Sequence, residues 1–197
     1  MTLSFSSGRW TAKWVWPHRS TDWEAPTARR TVVFRSSFHL ERIPESAPSR
    51  VAAVGRATWF VNGHEIGRGP VRAHPQQMRW DDHDVASQLR VGENTIAVMV
   101  TADVDATAWS IPLPESSDLR KGALAVEVYA DGKLIVATDE TWRGKVLHGW
   151  TASASASLLK RGDESADVRS LESDWTTGNV DGWPTVKKRR AMVLGAS

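Results

Sequence analysis

The dipeptide Asn62-Gly63 is the feature that most limits how this chain can fold. Short runs of β-forming residues flank it within the stretch 58–70. Asn and Gly tolerate the positive φ angles that both central positions of a type I′ turn require, so this stretch is predicted to form a tight hairpin. Asp131-Gly132 predicts a second hairpin, because it joins the alternating run 124–129 to the apolar run 134–138.

Alternation of apolar and polar residues predicts further strands. Residues 31–40 carry apolar side chains on one face and polar ones on the other, and the run 96–100 places its apolar residues on a single face. Residues 50–61 read as a strand or a bent pair of strands, with Gly55 as a candidate β-bulge. With no long amphipathic helix and no repeat of solenoid period, the chain is predicted to be all-β, a jelly-roll β-sandwich of roughly eight to ten strands.

Composition excludes several classes of function. The chain has 197 residues, which suits one full-sized core, and 25 Lys and Arg against 23 Asp and Glu, a net charge of +2. So small a charge favours neither a nucleic-acid nor a membrane-surface partner. The absence of cysteine excludes disulfides, thiolate metal sites and a cysteine nucleophile. No segment has the pattern of a signal peptide or a membrane span, so we expect a soluble, cytoplasmic protein.

Tryptophan is unusually frequent, with 11 residues against one Tyr and four Phe. An indole ring is suited to burial against a sheet and equally suited to stacking on the apolar face of a sugar ring. Composition does not separate these two roles, although burial is the commoner fate of an aromatic side chain.

A series of short motifs, in order along the chain, resembles a known family. The series consists of Trp14-Val15-Trp16, the segments 34–40, 60–70 and 84–98, and finally 138–142. It is similar to the N-terminal, non-catalytic jelly-roll domain of bacterial α-L-rhamnosidase-like glycoside hydrolases, and more broadly to the galactose-binding-like sandwich that precedes many glycoside hydrolase catalytic domains. The resemblance covers about residues 10–145.

The resemblance implies an organisation for the chain. Residues 1–30 would be a lead-in segment packed on the sandwich, residues 31–150 the jelly roll, and residues 151–197 an irregular segment leading toward a catalytic domain. In the family the catalytic carboxylates lie on a downstream (α/α)6 barrel, so the resemblance assigns no catalytic residue to this chain. It implies a downstream or partner catalytic domain, and it leaves open whether the chain is a fragment or complete.

Four residues near the end of the first hairpin are candidates for carbohydrate binding. A sugar site combines an aromatic platform with side chains that hydrogen-bond paired hydroxyls. Arg68, Arg72, Trp80 and Asp82 lie near one another in the sequence and could converge on such a site, which would take a carbohydrate such as a rhamnose-containing glycan. The alternative is that Trp80 packs beneath the loop and the arginines are solvated. Residues 71–78 contain no aromatic side chain, which weakens the case for rhamnose at this loop.

Other polar groups favour no second chemistry. The cluster Asp81-Asp82-His83-Asp84 is the densest acidic stretch, and it is typical of turn capping or of a solvated edge. A structural Ca²⁺ site there and a catalytic carboxylate pair are the less favoured alternatives. The six histidines lack zinc-ligand spacing, so no metal and no cofactor is expected.

The leading hypothesis is therefore a non-catalytic domain that recognises carbohydrate or supports a partner catalytic domain. The second is a structural interaction module that docks on that partner without binding glycan. The third, a small enzyme in its own right, would require two carboxylates facing each other across a cleft.

Overall fold

The computed structural model describes residues 10–17, 29–70, 79–103, 122–152, 164–170 and 174–189. In chain order its strands are β1 (Val15–Pro17), β2 (Arg29–Leu40), β3 (Pro48–Val54), β4 (Arg56–Val61), β5 (His64–Gly69), β6 (Asp81–Asp84), β7 (Gly92–Asp103), β8 (Ala123–Ala130), β9 (Lys133–Ala137), β10 (Arg143–Val146), β11 (Trp150–Ala152), β12 (Glu164–Ala166) and β13 (Val186–Lys188).

The strands form two main antiparallel sheets. Sheet A has the order β13-β1-β8-β3-β6, with β9 also paired to β8, and sheet B has the order β10-β2-β7-β4-β5. Strands β11 and β12 make a separate two-stranded ribbon. The prediction of an all-β sandwich is confirmed.

Both predicted hairpin turns are present. Asn62 and Gly63 have φ angles of 50° and 83°, and Asp131 and Gly132 have 48° and 81°. These positive values are those that a type I′ turn demands of its central residues. Asn62 also joins its turn to the start of β7, because its amide nitrogen donates to the Asn94 side chain at 2.8 Å and its amide oxygen accepts from the Thr95 backbone at 2.9 Å.

Gly55 has a different role from the predicted bulge. It stands between β3 of sheet A and β4 of sheet B, so the chain crosses from one sheet to the other there. Its φ of 133° is open to glycine and strained for other residues. The register irregularity along β4 falls instead between Trp59 and Phe60. Within a short apolar run, a glycine that bends one strand and a glycine that separates two strands give the same sequence pattern.

The main core lies between the inner faces of the two sheets. Sheet A contributes residues such as Leu124, Val126 and Val128, and sheet B contributes Phe34 and Ile96, all of them fully buried. Three large indoles, Trp16, Trp59 and Trp142, are buried in the same cluster. Burying each of these rings removes a large apolar area from water, which makes tryptophan a major contributor to the stability of the sandwich.

The two sides of the sandwich differ in how they are held. On one side, residues 184–188 join the sheets: Gly144 of β10 donates to the Pro184 carbonyl at 2.9 Å, and Val186 donates to the Trp142 carbonyl at 3.0 Å before its strand pairs with β1. On the opposite side the sheets end at β5 and β6, which belong to different sheets. We call the first the closed side and the second the open side.

Candidate functional site

The structure places the described members of the predicted carbohydrate-binding set on or beside the edge strands β5 and β6, which belong to different sheets. Arg68 is exposed on β5 of sheet B, where its Nε and Nη2 donate to Glu65 at 2.7 and 3.0 Å. This hydrogen bonding is the main cause that raises the pKa of Arg68 and lowers the pKa of Glu65. Asp82 lies on β6 of sheet A, and Trp80 immediately precedes that strand. Arg72 lies outside the described residues.

Trp80 packs against the N-terminal segment. Its ring meets Trp10 edge to face, with centroids 6.0 Å apart, above a floor of small residues on the outer face of sheet A: Ala52, Ala123 and Ala125. Trp80 is half-buried in this cluster. Trp80 therefore packs on the N-terminal segment, and the loop 71–78 beneath which it was alternatively placed lies outside the described residues. Asp82 is exposed, opposite Arg50 of β3.

A buried ion pair lies beneath the same N-terminal segment. Arg50 and Glu127 expose 1% and 0% of their side chains, and the Arg50 Nε and Nη2 atoms both lie 2.7 Å from Glu127 Oε2. The other carboxylate oxygen accepts hydrogen bonds from the backbone N–H groups of Thr11 and Ala12. The Trp10 ring covers the pair, with its centroid 4.3 Å from the guanidinium carbon. Sequence reasoning missed this pair because nearly 80 residues separate the partners, which come together only when β3 pairs with β8.

The cluster Asp81–Asp84 divides its side chains between the two faces of β6. Asp81 and His83 point toward β5 at the open side, where His83 lies against Trp59 with ring centroids 5.6 Å apart. Burial raises the pKa of Asp81, and the charge of His83 partly offsets that rise. Asp84 accepts from the backbone N–H groups of Ala86 and Ala47 at 2.9 and 3.0 Å.

Two glycines of β5 make room for those side chains. A Cβ built on Gly67 would lie 2.8 Å from His83 Nε2, and one built on Gly69 would overlap the Asp81 carboxylate and lie 2.7 Å from its Cγ. The glycines therefore let the edge strands of the two sheets approach each other across the open side.

We expect Gly69→Ala to destabilise the domain by about 1 to 3 kcal/mol, since the new methyl group displaces a partly buried carboxylate. Urea unfolding followed by tryptophan fluorescence measures the loss. The double variant Gly69→Ala/Asp81→Ala removes the overlapping group and should recover most of the stability. A double variant that is no more stable than Gly69→Ala would contradict the packing described here.

The outer face of sheet B is covered by the segment 174–183. Trp175 packs edge to face on Phe60, with ring centroids 5.2 Å apart, and Trp183 packs in the same cluster with Val33 and Ala97. The Thr95 hydroxyl donates to the Thr176 carbonyl at 3.2 Å, which fastens the segment to β7.

Arg35 lies on this covered outer face of sheet B. The alternation of residues 31–40 predicts that it lies on the polar face of its strand. Its side chain is only 4% exposed, and burial lowers the pKa of the guanidinium, while the charges of Asp174 and Glu93 act in the opposite direction. The pattern of residues 31–40 identified the face but not its burial, because the covering residues lie about 140 positions later in the chain.

The described part of the chain holds no cluster of three or more His, Asp or Glu side chains able to bind a metal ion. It also contains no helix with the length and apolarity needed to cross a membrane. The expectations about cofactors, compartment and the division into 1–30, 31–150 and 151–197 remain predictions.

Comparison with known proteins identifies the family. A sequence model of the alpha-L-rhamnosidase N-terminal domain matches residues 43–193. The chain belongs to this family. The resemblance seen in the sequence is thereby confirmed.

Three relatives of this rhamnosidase N-terminal domain illustrate the match. An alpha-L-rhamnosidase from Formosa agariphila is 25% identical over 75% of the chain. The crystal structure of a GH78 family rhamnosidase of Bacillus sp. GL1 matches 92% of the chain at 30% identity with a TM-score of 0.75. An alpha-L-rhamnosidase from Dictyoglumus thermophilum matches 92% of the chain at 18% identity with a TM-score of 0.70, which shows the fold alone. The chain spans 16%, 18% and 21% of the lengths of these three proteins.

Proposed function

We propose that this domain is a non-catalytic accessory domain of an α-L-rhamnosidase-like glycoside hydrolase, and that its main role is to support the catalytic part by docking on it. The observation that carries the proposal is the placement of the tryptophans. Of the nine in the described residues, six are buried and Trp10, Trp80 and Trp150 are half-buried. A sugar-binding surface of the usual kind displays an aromatic face to solvent, and these nine rings pack on the protein itself.

The acidic groups support a non-catalytic role. Glycoside hydrolysis uses two carboxyl groups on either side of the scissile bond, roughly 5 to 10 Å apart. The adjacent Asp81 and Asp82 point to opposite faces of β6, since alternate residues of a strand face opposite ways. Asp84 is occupied by backbone hydrogen bonds.

The cover segments favour a structural role over a lectin-like one. The N-terminal segment covers part of the outer face of sheet A, and the segment 174–183 covers part of the outer face of sheet B. The two broad faces on which a sandwich could hold a glycan are thus partly filled by the chain's own side chains. Carbohydrate binding through Arg68, Arg72, Trp80 and Asp82 remains a prediction.

A domain exchange tests the supporting role. The corresponding domain of the Bacillus sp. GL1 rhamnosidase is replaced by this chain, and the chimera is compared with the same enzyme lacking that domain. A supporting domain should raise the thermal midpoint and restore soluble, active enzyme, because docking buries surface that the deletion exposes. The chain by itself should not hydrolyse p-nitrophenyl α-L-rhamnoside.

The control is the Bacillus enzyme with an unrelated β-sandwich of similar size at the same position. It shows whether any folded domain placed there has the same effect. A chimera no more stable or active than the deletion would overturn the supporting role. Hydrolysis by the isolated chain would overturn the non-catalytic assignment.

A further inference from the structure

Asn62-Gly63 is a chemically reactive dipeptide as well as a turn. In a flexible chain, the backbone nitrogen that follows an asparagine can attack the carbon of its side-chain amide. Glycine permits this attack most readily, because it has no Cβ to hinder the approach and the widest choice of backbone angles. The chain contains three asparagines, at positions 62, 94 and 179, and only Asn62 is followed by glycine. The sequence therefore holds one asparagine of high intrinsic reactivity.

The fold holds the side-chain amide of Asn62 with three hydrogen bonds. Its nitrogen donates to the Gln88 carbonyl at 2.7 Å and to Asn94 Oδ1 at 2.8 Å. Its oxygen accepts from the backbone N–H of Thr95 at 2.9 Å. Attack by the Gly63 nitrogen makes the amide carbon tetrahedral and expels the amide nitrogen, so these bonds must break before the reaction can proceed. The reactive state is therefore an opened one, in which the turn has left the start of β7.

Asn94 cannot adapt to a carboxylate in place of the Asn62 amide. Its side chain is fully buried, and its Oδ1 accepts from the Arg90 N–H at 2.9 Å. Its Nδ2 donates to the carbonyls of Arg90 and Gly92 at 2.7 and 3.0 Å, so turning the amide over would set its oxygen against both carbonyls. A carboxylate at position 62 would consequently face the oxygens of Asn94 and Gln88 with no proton to give to either.

The backbone of the turn, in contrast, accepts aspartate. Asp131 has the corresponding position in the second hairpin, with a φ of 48° against 50° for Asn62. The cost of an aspartate at position 62 therefore lies in the lost side-chain hydrogen bonds rather than in backbone strain. Isoaspartate, the other product of deamidation, adds a carbon to the main chain and would also disturb the pairing of β4 with β5.

We propose that Asn62 is a deamidation site that the folded domain protects and that unfolding exposes. In the opened chain the Gly63 nitrogen bonds to Asn62 Cγ, the side-chain nitrogen leaves as ammonia, and water opens the cyclic imide to aspartate or isoaspartate. The product cannot rebuild the contacts with Gln88 and Asn94, so time spent unfolded becomes a permanent loss of stability. The inference concerns the domain alone and does not rest on its role beside a catalytic part.

A tryptic peptide reports on this site alone. Trypsin, cutting after Arg56 and Arg68, releases the peptide 57–68, in which Asn62 is the one asparagine. The folded chain, the same chain in guanidinium chloride and the synthetic peptide are incubated in mildly alkaline buffer, and mass spectrometry follows the conversion. The folded chain should convert at least about 100-fold more slowly than the peptide, since only its small open population reacts. The denatured chain should convert as fast as the peptide.

Asn179 is the internal control, because it is exposed and is followed by the branched Val180. In the denatured chain it should convert much more slowly than Asn62, which assigns the reactivity to the glycine. A folded chain that converts at Asn62 as fast as the peptide would overturn the protection. A denatured chain that leaves Asn62 intact, or converts Asn179 equally fast, would overturn the site.

Refolding tests the consequence for stability. Portions of the denatured chain are diluted at intervals to a guanidinium concentration a little below the parent's midpoint, where a small change in the folding equilibrium is visible. The native fraction should fall in step with the conversion of Asn62. Asn62→Gly, which cannot deamidate, is the matched variant, and its native fraction just below its own midpoint should stay constant over the same period. An equal decline in Asn62→Gly would assign the loss to other damage and overturn this consequence.

Asn62→Asp reproduces the aspartate product directly. Its folding equilibrium constant should be at least about tenfold smaller than that of the parent, because two acceptors lose their donor. The same change at exposed Asn179 should have a much smaller effect. An Asn62→Asp domain as stable as the parent would contradict the proposed loss of stability, whereas one that does not fold at all would agree with it.

Discussion

Replacing Glu127 with leucine should lower the free energy of unfolding by about 3 to 5 kcal/mol. The substitution leaves Arg50 charged, buried and facing an apolar side chain, and it also removes the acceptor of the Thr11 and Ala12 backbone N–H groups. The Trp10 ring lies over the guanidinium, 4.3 Å from its carbon, and shields it on that side. Urea unfolding followed by tryptophan fluorescence gives the value directly, since no indole is altered.

The double variant Arg50→Met/Glu127→Leu shows whether the loss belongs to the Arg50 charge deprived of its carboxylate. Replacing a buried ion pair by apolar residues of similar volume is often neutral or stabilising, so the double variant should be far more stable than Glu127→Leu alone. A Glu127→Leu protein as stable as the parent would mean that Arg50 remains solvated, contrary to the buried pair described here.

Replacing Gly55 with alanine should destabilise the domain by about 3 kcal/mol or more, from backbone strain and overlap together. The added Cβ would lie 2.5 Å from the carbonyl oxygen of Thr101, a backbone atom of β7 that cannot rotate away, and φ would have to remain near 133°. Because Gly55 is the point where the chain passes between the sheets, relaxation there would displace β3 from β4. Thermal unfolding followed by circular dichroism measures the effect.

Two other glycines are matched controls for Gly55. Gly132 has a φ of 81° with no atom within 4 Å of a built Cβ, so Gly132→Ala isolates the cost of strain, about 1 kcal/mol. Gly182 has open space and no unusual φ, so Gly182→Ala should change stability by less than about 0.5 kcal/mol. If all three variants lose the same stability, close packing at Gly55 is not the cause.

Local chemistry made much of the fold predictable from the sequence. Asn62-Gly63 and Asp131-Gly132 predict their turns because few other residues tolerate those φ angles. The alternation of apolar and polar residues along the strands identifies the inward-facing residues, such as Phe34 and Ile96. Gly55 was misread because the decisive fact, which sheet each flanking strand joins, depends on long-range pairing.

The candidate site was less predictable for the same reason. Arg35 looks like an ordinary solvent-facing residue until the segment 174–183 covers it, and Arg50 acquires its partner only through the pairing of β3 with β8. Proximity in the sequence grouped Arg68 with Trp80, yet the structure places Arg68 on β5 of sheet B and packs Trp80 against Trp10. Which side chains lie together depends on the pairing of distant strands, and the spacing of residues along the chain does not reveal that pairing.

The pairing of β1 with β13 determines how the domain responds to mechanical force. Val15 pairs with Lys188, and Arg189 donates to the Trp14 carbonyl at 2.7 Å, so the chain enters β1 and leaves β13 at the same end of the pair. Tension applied between these two points loads the hydrogen bonds one after another rather than all at once. We therefore expect this pair of sheet A to separate bond by bond at low force, before the long β2–β7 ladder of sheet B yields.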